Sequence, residues 1–256
     1  MTFFLLVVAL LAGLVVGSFV NVVVYRVPRG LSVVSPRSAC PSCSKTITAR
    51  DNVPVLSWLA LRGRCRSCAV RIPLRYPAVE LATAALFVAL AARLGADAAL
   101  PAFWLLVAAL VAISAVDLER RLVPSRILYP SLVAGGVLLV LAAAAEGSWG
   151  RLWRAAAGGA IGFVALGVVH LVYPRGMGFG DVRLAGLLGV YLGWIGLAEV
   201  AVGLFLGFLT GSVVGLGLVA FAGRTGRSEL PFAPFLAAGG VAGVLWGPAL
   251  VRLWLG

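Results

Sequence analysis

Long apolar runs separated by short polar segments dominate the chain. A helix needs about 20 apolar residues to cross the hydrocarbon core of a bilayer, and eight runs are candidates. They lie at residues 3–25, 78–94, 100–116, 126–145, 152–173, 184–198, 200–222 and 232–255. Continuous runs predict helices, because the strands of an outer-membrane barrel alternate apolar and polar residues in segments of about ten. We therefore expect an all-α, polytopic membrane bundle of six to eight transmembrane helices, with eight as the favoured count.

Two of these runs need interpretation. Residues 184–222 form either two helices that turn near residues 196–199 or one span followed by a re-entrant segment. Glu199 would be costly in the middle of a continuous span, so we expect it to mark a turn on the outer side. The first run lacks the basic start of a secretory signal and is long enough to span a bilayer, so we interpret it as a retained transmembrane helix.

Glycines recur at four-residue spacing in the last two runs. At this spacing the glycines of each run lie on one face of a helix. A glycine face lets two helix backbones approach closely, and we expect both faces to be packing surfaces. The first face holds Gly203, Gly207, Gly211 and Gly215, and the second holds Gly239, Gly243 and Gly247.

The composition supports a membrane protein. Hydrophobic residues make up 62% of the chain and charged residues only 12%, about half the charged share of an average soluble domain. That leaves too little polar surface to cover a water-soluble globule. The composition therefore excludes a soluble enzyme, a disordered regulator and a secreted disulfide scaffold.

The net charge of +12 is distributed unevenly between the polar segments. Ten basic residues lie between Arg26 and Arg75, and 17 of the 21 lie in four loops, at residues 26–77, 117–126, 174–183 and 223–231. Loops rich in Lys and Arg stay on the cytoplasmic side, which predicts that the N-terminus is outside and these loops are inside. We expect these basic loops to contact membrane lipids and not to bind nucleic acid.

All four cysteines lie in the long polar loop, as the pairs Cys40-Pro-Ser-Cys43 and Cys65-Arg-Ser-Cys68. Two CxxC pairs at this spacing offer four thiolates, the ligand set of a structural zinc site without an open coordination position. A loop of about 52 residues with few large apolar groups needs such a staple to fold. Disulfides and free thiols are the alternatives, and a cytoplasmic location disfavours disulfides.

Two aspartates lie at the ends of apolar runs on the predicted cytoplasmic side. Asp117 closes one run, and Asp181 follows a glycine-rich segment before another. Two carboxylates brought together share a proton, so that one activates water while the other polarises a carbonyl group, which is aspartyl-protease chemistry. Alternatively, Asp117 is an interfacial anchor and Asp181 caps the next helix.

A set of motifs in a fixed order resembles a known family. Gly178-x-Gly180-Asp181 matches the GxGD motif of membrane aspartyl proteases. Residues 17–28 read GSFVNVVVYRVP, and the two CxxC pairs and RIPLRYPAVE at residues 71–80 follow. This order, across the whole chain, closely resembles the type IV prepilin leader peptidases of the bifunctional peptidase/N-methyltransferase type.

The resemblance implies a membrane aspartyl endopeptidase with Asp117 and Asp181 as the catalytic pair. Such an enzyme removes the short basic leader of prepilins and pseudopilins, the subunits of type IV pili and type II secretion, at the cytoplasmic face of the bacterial inner membrane. It also implies methylation of the new N-terminus with S-adenosylmethionine, although no residue here can be assigned to bind that cofactor. We expect three regions: a first transmembrane helix at 1–25, a cysteine loop associated with methylation at 26–77, and a protease bundle at 78–256.

The family pattern also points to residues beside the catalytic pair. Gly178, Gly180, Arg183 and Pro124 support the motifs, and zinc is expected on Cys40, Cys43, Cys65 and Cys68. Two positions depart from the pattern: Arg183 stands where Lys is frequent, and Ser125 follows Pro124 where Asp or Asn is frequent. Glu80 is expected to orient the loop through an arginine or to take part in methylation.

Two other functions remain open at this stage. One is a different GxGD protease that cuts within the membrane span of its substrate, but the resemblance to that group does not call for a cysteine loop. The other is a zinc-responsive transporter or scaffold that uses the aspartates as an ion site. The chain lacks the pair of Gly- or Pro-broken helices in corresponding halves that marks many transporters.

Overall fold

The computed structural model describes residues 2–174, 176–222 and 230–255. These residues form nine α-helices and two 3-10 turns, and they contain no extended strand, only two isolated β-bridges. The helices are α1 (Thr2–Arg26), α2 (Leu56–Ala60), α3 (Arg75–Leu94), α4 (Leu100–Arg120), α5 (Ser125–Glu146), α6 (Trp149–Val172), α7 (Phe179–Ile195), α8 (Leu197–Ala222) and α9 (Ala233–Leu255). The all-α prediction is confirmed.

Seven of the helices are long and apolar enough to cross a membrane, so the chain is a multi-pass membrane protein. This count lies within the predicted range of six to eight but below the favoured eight. The difference is α7, which has only 17 residues. A helix of this length rises about 26 Å, a few ångströms less than the roughly 30 Å of a typical hydrocarbon core.

The region between residues 184 and 222 contains two helices and no re-entrant segment. α7 ends at Ile195, Gly196 is extended, and α8 begins at Leu197. Glu199 lies in the first turn of α8 and is buried. The two-helix interpretation is therefore confirmed. Most of the predicted loop at 223–231, and Arg175 in the loop at 174–183, lie outside the described residues.

Glycines bring the helices together in three close pairs, α1 with α3, α6 with α7, and α8 with α9. A Cβ atom added at Gly239 would collide with the backbone of Gly207, and one at Gly243 would come within 3.0 Å of the Cα atom of Gly203. The predicted glycine faces of α8 and α9 therefore meet each other. The pairs α1–α3 and α6–α7 use the same principle through Gly17 and Gly158.

α4 lies at the centre of the bundle. It packs against α1, α3, α5 and α9, and its buried residues extend from Leu100 to Asp117. α7 is buried along most of its length between α6, α8 and α9. The two helices that carry the candidate aspartates are thus both interior, and both contact α9.

The glycine contact between α8 and α9 generates a stability prediction. Gly239→Ala should lower the free energy of unfolding by about 1–3 kcal/mol, because the added methyl group meets the backbone of Gly207, which cannot rotate away. The measurement is thermal or denaturant unfolding of the purified protein in detergent.

The matched control is Gly136→Ala on α5, where an added Cβ meets no atom within 4 Å. This variant should be neutral or stabilised by about 0.5–1 kcal/mol, since alanine is the better helix former. Equal stability of the two variants would contradict the role assigned to the α8–α9 contact.

Candidate functional site

Asp117 lies in the last turn of α4 and is 5% exposed. Its Oδ2 atom accepts a hydrogen bond of 3.1 Å from the backbone N–H of Ala233, the first residue of α9. The N-terminus of a helix carries unpaired N–H groups and a partial positive charge, which stabilises an anion there. The position of this carboxyl group therefore depends on where α9 begins.

Asp181 occupies the first turn of α7 and is 9% exposed. Gly178 precedes that helix in an extended conformation, and its carbonyl oxygen accepts the N–H of Asp181 at 3.0 Å. The neighbouring Gly180 lies against Val123, just after the end of α4, so the start of α7 and the end of α4 are at the same end of the bundle. Two helices far apart in sequence thus bring both predicted aspartates to one end of the bundle, each at a helix N-terminus.

The two glycines of the GxGD motif have different surroundings. A Cβ atom at Gly180 would lie 2.9 Å from the Cβ atom of Val123, so the start of α7 can pack on the α4–α5 connection only without a side chain there. Gly178 is exposed, and a Cβ atom there would have only ordinary contacts, the nearest with Oδ2 of Asp181 at 3.6 Å. Gly180 is thus required by packing, whereas Gly178 leaves open space beside the carboxylate.

The two positions that depart from the family pattern contact each other. The guanidinium group of Arg183 donates a hydrogen bond of 2.6 Å to Oγ of Ser125, and it also lies over the rings of Phe179 and Tyr129. Pro124 precedes α5, and its carbonyl oxygen accepts the N–H groups of Ile127 and Leu128 in the first turn of that helix. These contacts hold the first turn of α7 against the start of α5.

The four cysteines form one cluster. Their Sγ atoms all lie within 4.8 Å of one another, and those of Cys40 and Cys68 are 3.8 Å apart. A tetrahedral zinc site with Zn–S distances of about 2.3 Å places its sulfur atoms roughly 3.8 Å apart. The cluster therefore fits a four-thiolate metal site, as the spacing predicts, and all four cysteines are free thiols, without a disulfide.

The two CxxC segments fold in the same way. In each, the residue four positions after the first cysteine donates its N–H to the carbonyl oxygen of that cysteine, Ser44 to Cys40 and Ala69 to Cys65. Ser44 and Ala69 both have a positive φ angle. The segments are thus two copies of one metal-binding turn, and they face each other.

Hydrogen bonds stabilise the second copy. Backbone N–H groups of Cys68 and Ser67 bond to the thiol of Cys65 and lower its pKa to about 6. Arg66 makes hydrogen bonds to both carboxylate oxygens of Asp51, which hold the pKa of this carboxyl group below its usual value. The second CxxC turn is thereby tied to the 3-10 turn at residues 49–51.

The loop is attached to the bundle through α3. Oε2 of Glu80 accepts the backbone N–H of Val55 at 2.7 Å. Within the loop, the indole N–H of Trp58 donates to the carbonyl oxygen of Ile72, shortly before α3 begins. Glu80 therefore orients the loop, as expected. The predicted pairing of Glu80 with an arginine is wrong, because none of the ion pairs among the described residues includes Glu80.

Two features of this region were not identified from the sequence. The donor to Asp117 is a backbone N–H group, which any residue except proline would supply at position 233. Asn21 is 3% exposed, and its side-chain amide donates to the carbonyl oxygen of Tyr76 at 3.0 Å. A polar residue inside an apolar run is the one signal that could have identified it as more than a packing position.

The two glycines of the motif generate a prediction that separates their roles. Gly180→Ala should lower the free energy of unfolding by about 1 kcal/mol or more, because the new methyl group meets Val123. Gly178→Ala should change it by less than about 0.5 kcal/mol. Thermal unfolding in detergent measures both, and a larger loss in Gly178→Ala would show that the packing has been assigned to the wrong glycine.

Comparisons with known proteins match nearly the whole chain. The model of the Bacterial Peptidase A24 N-terminal domain matches residues 11–94, and that of the Type IV leader peptidase family matches residues 104–220. The boundary between the two matches lies between α3 and α4. No solved structure matches the chain.

Curated relatives from several bacteria carry the same name, prepilin leader peptidase/N-methyltransferase. The relative from Aeromonas hydrophila is 36% identical, over 96% of this chain and 92% of its own length. That from Burkholderia pseudomallei (strain K96243) is 38% identical over 93% and 84% of the two chains, and that from Bacillus subtilis (strain 168) is 34% identical over 95% of each.

Proposed function

The chain belongs to the type IV leader peptidase family, and we propose that Asp117 and Asp181 form its catalytic pair. The observation that carries this proposal is the meeting of two buried carboxyl groups at one end of the bundle, each at a helix N-terminus. The substrates are prepilins and pseudopilins. The reaction is hydrolysis of the peptide bond after their short basic leader.

The chemistry follows from sharing one proton between the two carboxyl groups. The ionised group takes a proton from a water molecule, whose oxygen attacks the carbonyl carbon of the scissile bond. The protonated group donates to the carbonyl oxygen, and the leaving amine receives a proton as the C–N bond breaks. The exposed space at Gly178, next to Asp181, is where the extended substrate backbone approaches.

The second activity is N-methylation of the amine that cleavage releases. When bound, S-adenosylmethionine would supply the methyl group for this amine, which would release a proton. We assign this activity to the region matched by the N-terminal family model, which contains the cysteine loop at 26–77 between α1 and α3. The bundle from residue 78 onward performs the cleavage.

The four cysteines would hold a zinc ion with a structural role. Their four thiolates would leave no coordination position open for substrate or water. The loop has few buried apolar side chains of its own, and the metal supplies the stability that a hydrophobic core would otherwise give.

The catalytic end of the bundle faces the cytoplasm of a bacterial inner membrane. The basic residues that follow Asp117, which are Arg120 and Arg121, belong to the same cytoplasmic side as the basic cysteine loop. Arg120 donates a hydrogen bond to the carbonyl oxygen of Pro28, so the end of α4 and the start of the loop are in contact. The distribution of basic residues supports a topology with the N-terminus outside.

Loss of either carboxyl group tests the catalytic pair. Asp117→Asn and Asp181→Asn should each lower the rate of leader removal by about 100-fold or more, because the amide can neither take nor give the proton. The measurement is cleavage of a purified prepilin by the full chain in detergent, followed by mass spectrometry. Thermal unfolding of each variant shows that it is folded.

The control is Asp97→Asn, which removes an aspartate paired with Arg151 at the other end of the bundle. This variant should cleave at the rate of the unaltered chain. Normal cleavage by a folded Asp117→Asn or Asp181→Asn variant would refute the catalytic pair.

Metal analysis tests the cysteine site. The purified chain should hold one zinc ion, and Cys43→Ser should lose it. This variant should also become sensitive to proteases within the loop, because the metal no longer cross-links the two CxxC turns. Ser42→Ala, a change between the two cysteines of the same turn, should keep both the metal and the resistance. A full zinc content in Cys43→Ser would contradict the four-thiolate site.

A further inference from the structure

The single histidine of the chain, His170, lies in the last turn of α6 and is half-buried. Its Nδ1 atom is 2.8 Å from the carbonyl oxygen of Met177. A carbonyl oxygen can only accept a hydrogen bond, so Nδ1 carries a proton and donates it. The imidazole ring therefore links the end of α6 to the glycine-rich segment that leads to Asp181.

The segment that His170 contacts has a backbone with few restraints of its own. Residues 173–178 connect α6 to α7, with glycine at positions 176 and 178 and a further glycine at 180 in the first turn of α7. Glycine has more conformational freedom in the unfolded chain than any other residue, so a single conformation here is costly in entropy. The segment therefore depends on contacts with its surroundings to hold one path.

Met177 is the point at which this segment is held. It is 8% exposed, and the other described residues of the connection are exposed to a much larger extent. Within the described chain, no backbone N–H group donates to the carbonyl oxygen of Met177. A buried carbonyl group without a partner is costly. The imidazole of His170 therefore supplies a hydrogen bond that the backbone does not provide.

Aromatic contacts hold the other side of Gly178. The ring of His170 lies 5.7 Å from the ring of Phe179, the variable residue of the GxGD motif. Phe163, two turns earlier on α6, packs edge-to-face on the same ring at 6.1 Å. Edge-to-face and tilted pairs at these distances are attractive. The end of α6 thus contacts the motif immediately before and immediately after Gly178.

We propose that His170 is a positioning residue for Asp181, acting through its hydrogen bond to the carbonyl oxygen of Met177. The assignment rests on the proposed catalytic role of Asp181. Met177 is joined directly to Gly178, whose carbonyl oxygen accepts the N–H group of Asp181 at 3.0 Å. A shift of Met177 therefore also moves the first turn of α7. A misplacement of about 1 Å in a catalytic group can lower a rate by about 100-fold.

Two variants separate the hydrogen bond from the ring. His170→Phe keeps an aromatic ring beside Phe179 and removes the donor. It should lower kcat for leader removal by about 3- to 10-fold and change KM by less than about twofold, because a misplaced aspartate affects the transition state more than substrate binding. His170→Asn loses the ring but should keep at least about half of kcat, since its side-chain N–H group is attached to Cγ as Nδ1 is.

Hydrogen exchange of the full chain in detergent, followed by mass spectrometry, reports the segment directly. Peptides that cover residues 176–181 should exchange faster in His170→Phe than in the unaltered chain, whereas peptides from α4 should be unchanged. In His170→Asn both regions should exchange at the unaltered rate. The matched control is Leu171→Phe, which adds the same ring at the next position of α6, where the side chain is 78% exposed; its cleavage and exchange should be normal.

Three results would overturn the positioning role. Unaltered kcat in a folded His170→Phe variant would do so and leave the catalytic pair intact, whether or not exchange is faster. Equal losses in His170→Asn and His170→Phe would show that the ring matters and the hydrogen bond does not. A rise in KM at unchanged kcat would assign His170 to substrate binding instead. Failure of the proposed function is a different result, normal cleavage by Asp181→Asn, and it does not depend on the His170 variants.

Discussion

A carboxylate buried at the end of a transmembrane helix is costly unless a donor compensates it, and Asp117 finds its donor in the first N–H group of α9. That contact makes the position of the aspartate depend on helices that carry no chemistry. α9 is held against α8 by glycines whose backbones touch, Gly239 against Gly203 and Gly207. The glycine contact between α8 and α9 thus determines the position of the Ala233 N–H group relative to α4.

The same dependence holds for the other aspartate. Asp181 lies in the first turn of α7, and that turn can approach the α4–α5 connection only because Gly180 has no side chain. Arg183, two residues after the aspartate, holds the start of α5 through Ser125. The family pattern often has a lysine amine at position 183, where this chain has the guanidinium group of Arg183. It often has an Asp or Asn at position 125, where this chain has the hydroxyl group of Ser125. The contact is 2.6 Å long, and the planar guanidinium group also lies over the rings of Phe179 and Tyr129. The two departures are therefore complementary.

Side-chain chemistry and its spacing account for most of what could be predicted from the sequence. Apolar runs located the helices, two CxxC pairs located the cysteine cluster, and four-residue glycine spacing located the contact between α8 and α9. What could not be predicted depends on backbone atoms and on helix ends. The donor to Asp117 is a main-chain N–H group, and Glu80 accepts from the main chain of Val55 instead of an arginine. The short α7 was visible in the sequence as a run of 15 residues at 184–198, and only its count as a membrane span differs from the structure.

The last turn of α4 contacts two different parts of the molecule. Successive residues of a helix are rotated by about 100°, so Asp117 and Glu119 project to nearly opposite sides although they are only about 3 Å apart along the axis. Asp117 meets the start of α9, whereas Glu119 pairs with Arg75 at the start of α3, next to the cysteine loop. Arg120 donates a hydrogen bond to the carbonyl oxygen of Pro28, where that loop begins. The end of α4 is therefore fixed by α9 on one side and by the base of the cysteine loop on the other, so a shift of the loop would also shift the helix end that carries Asp117.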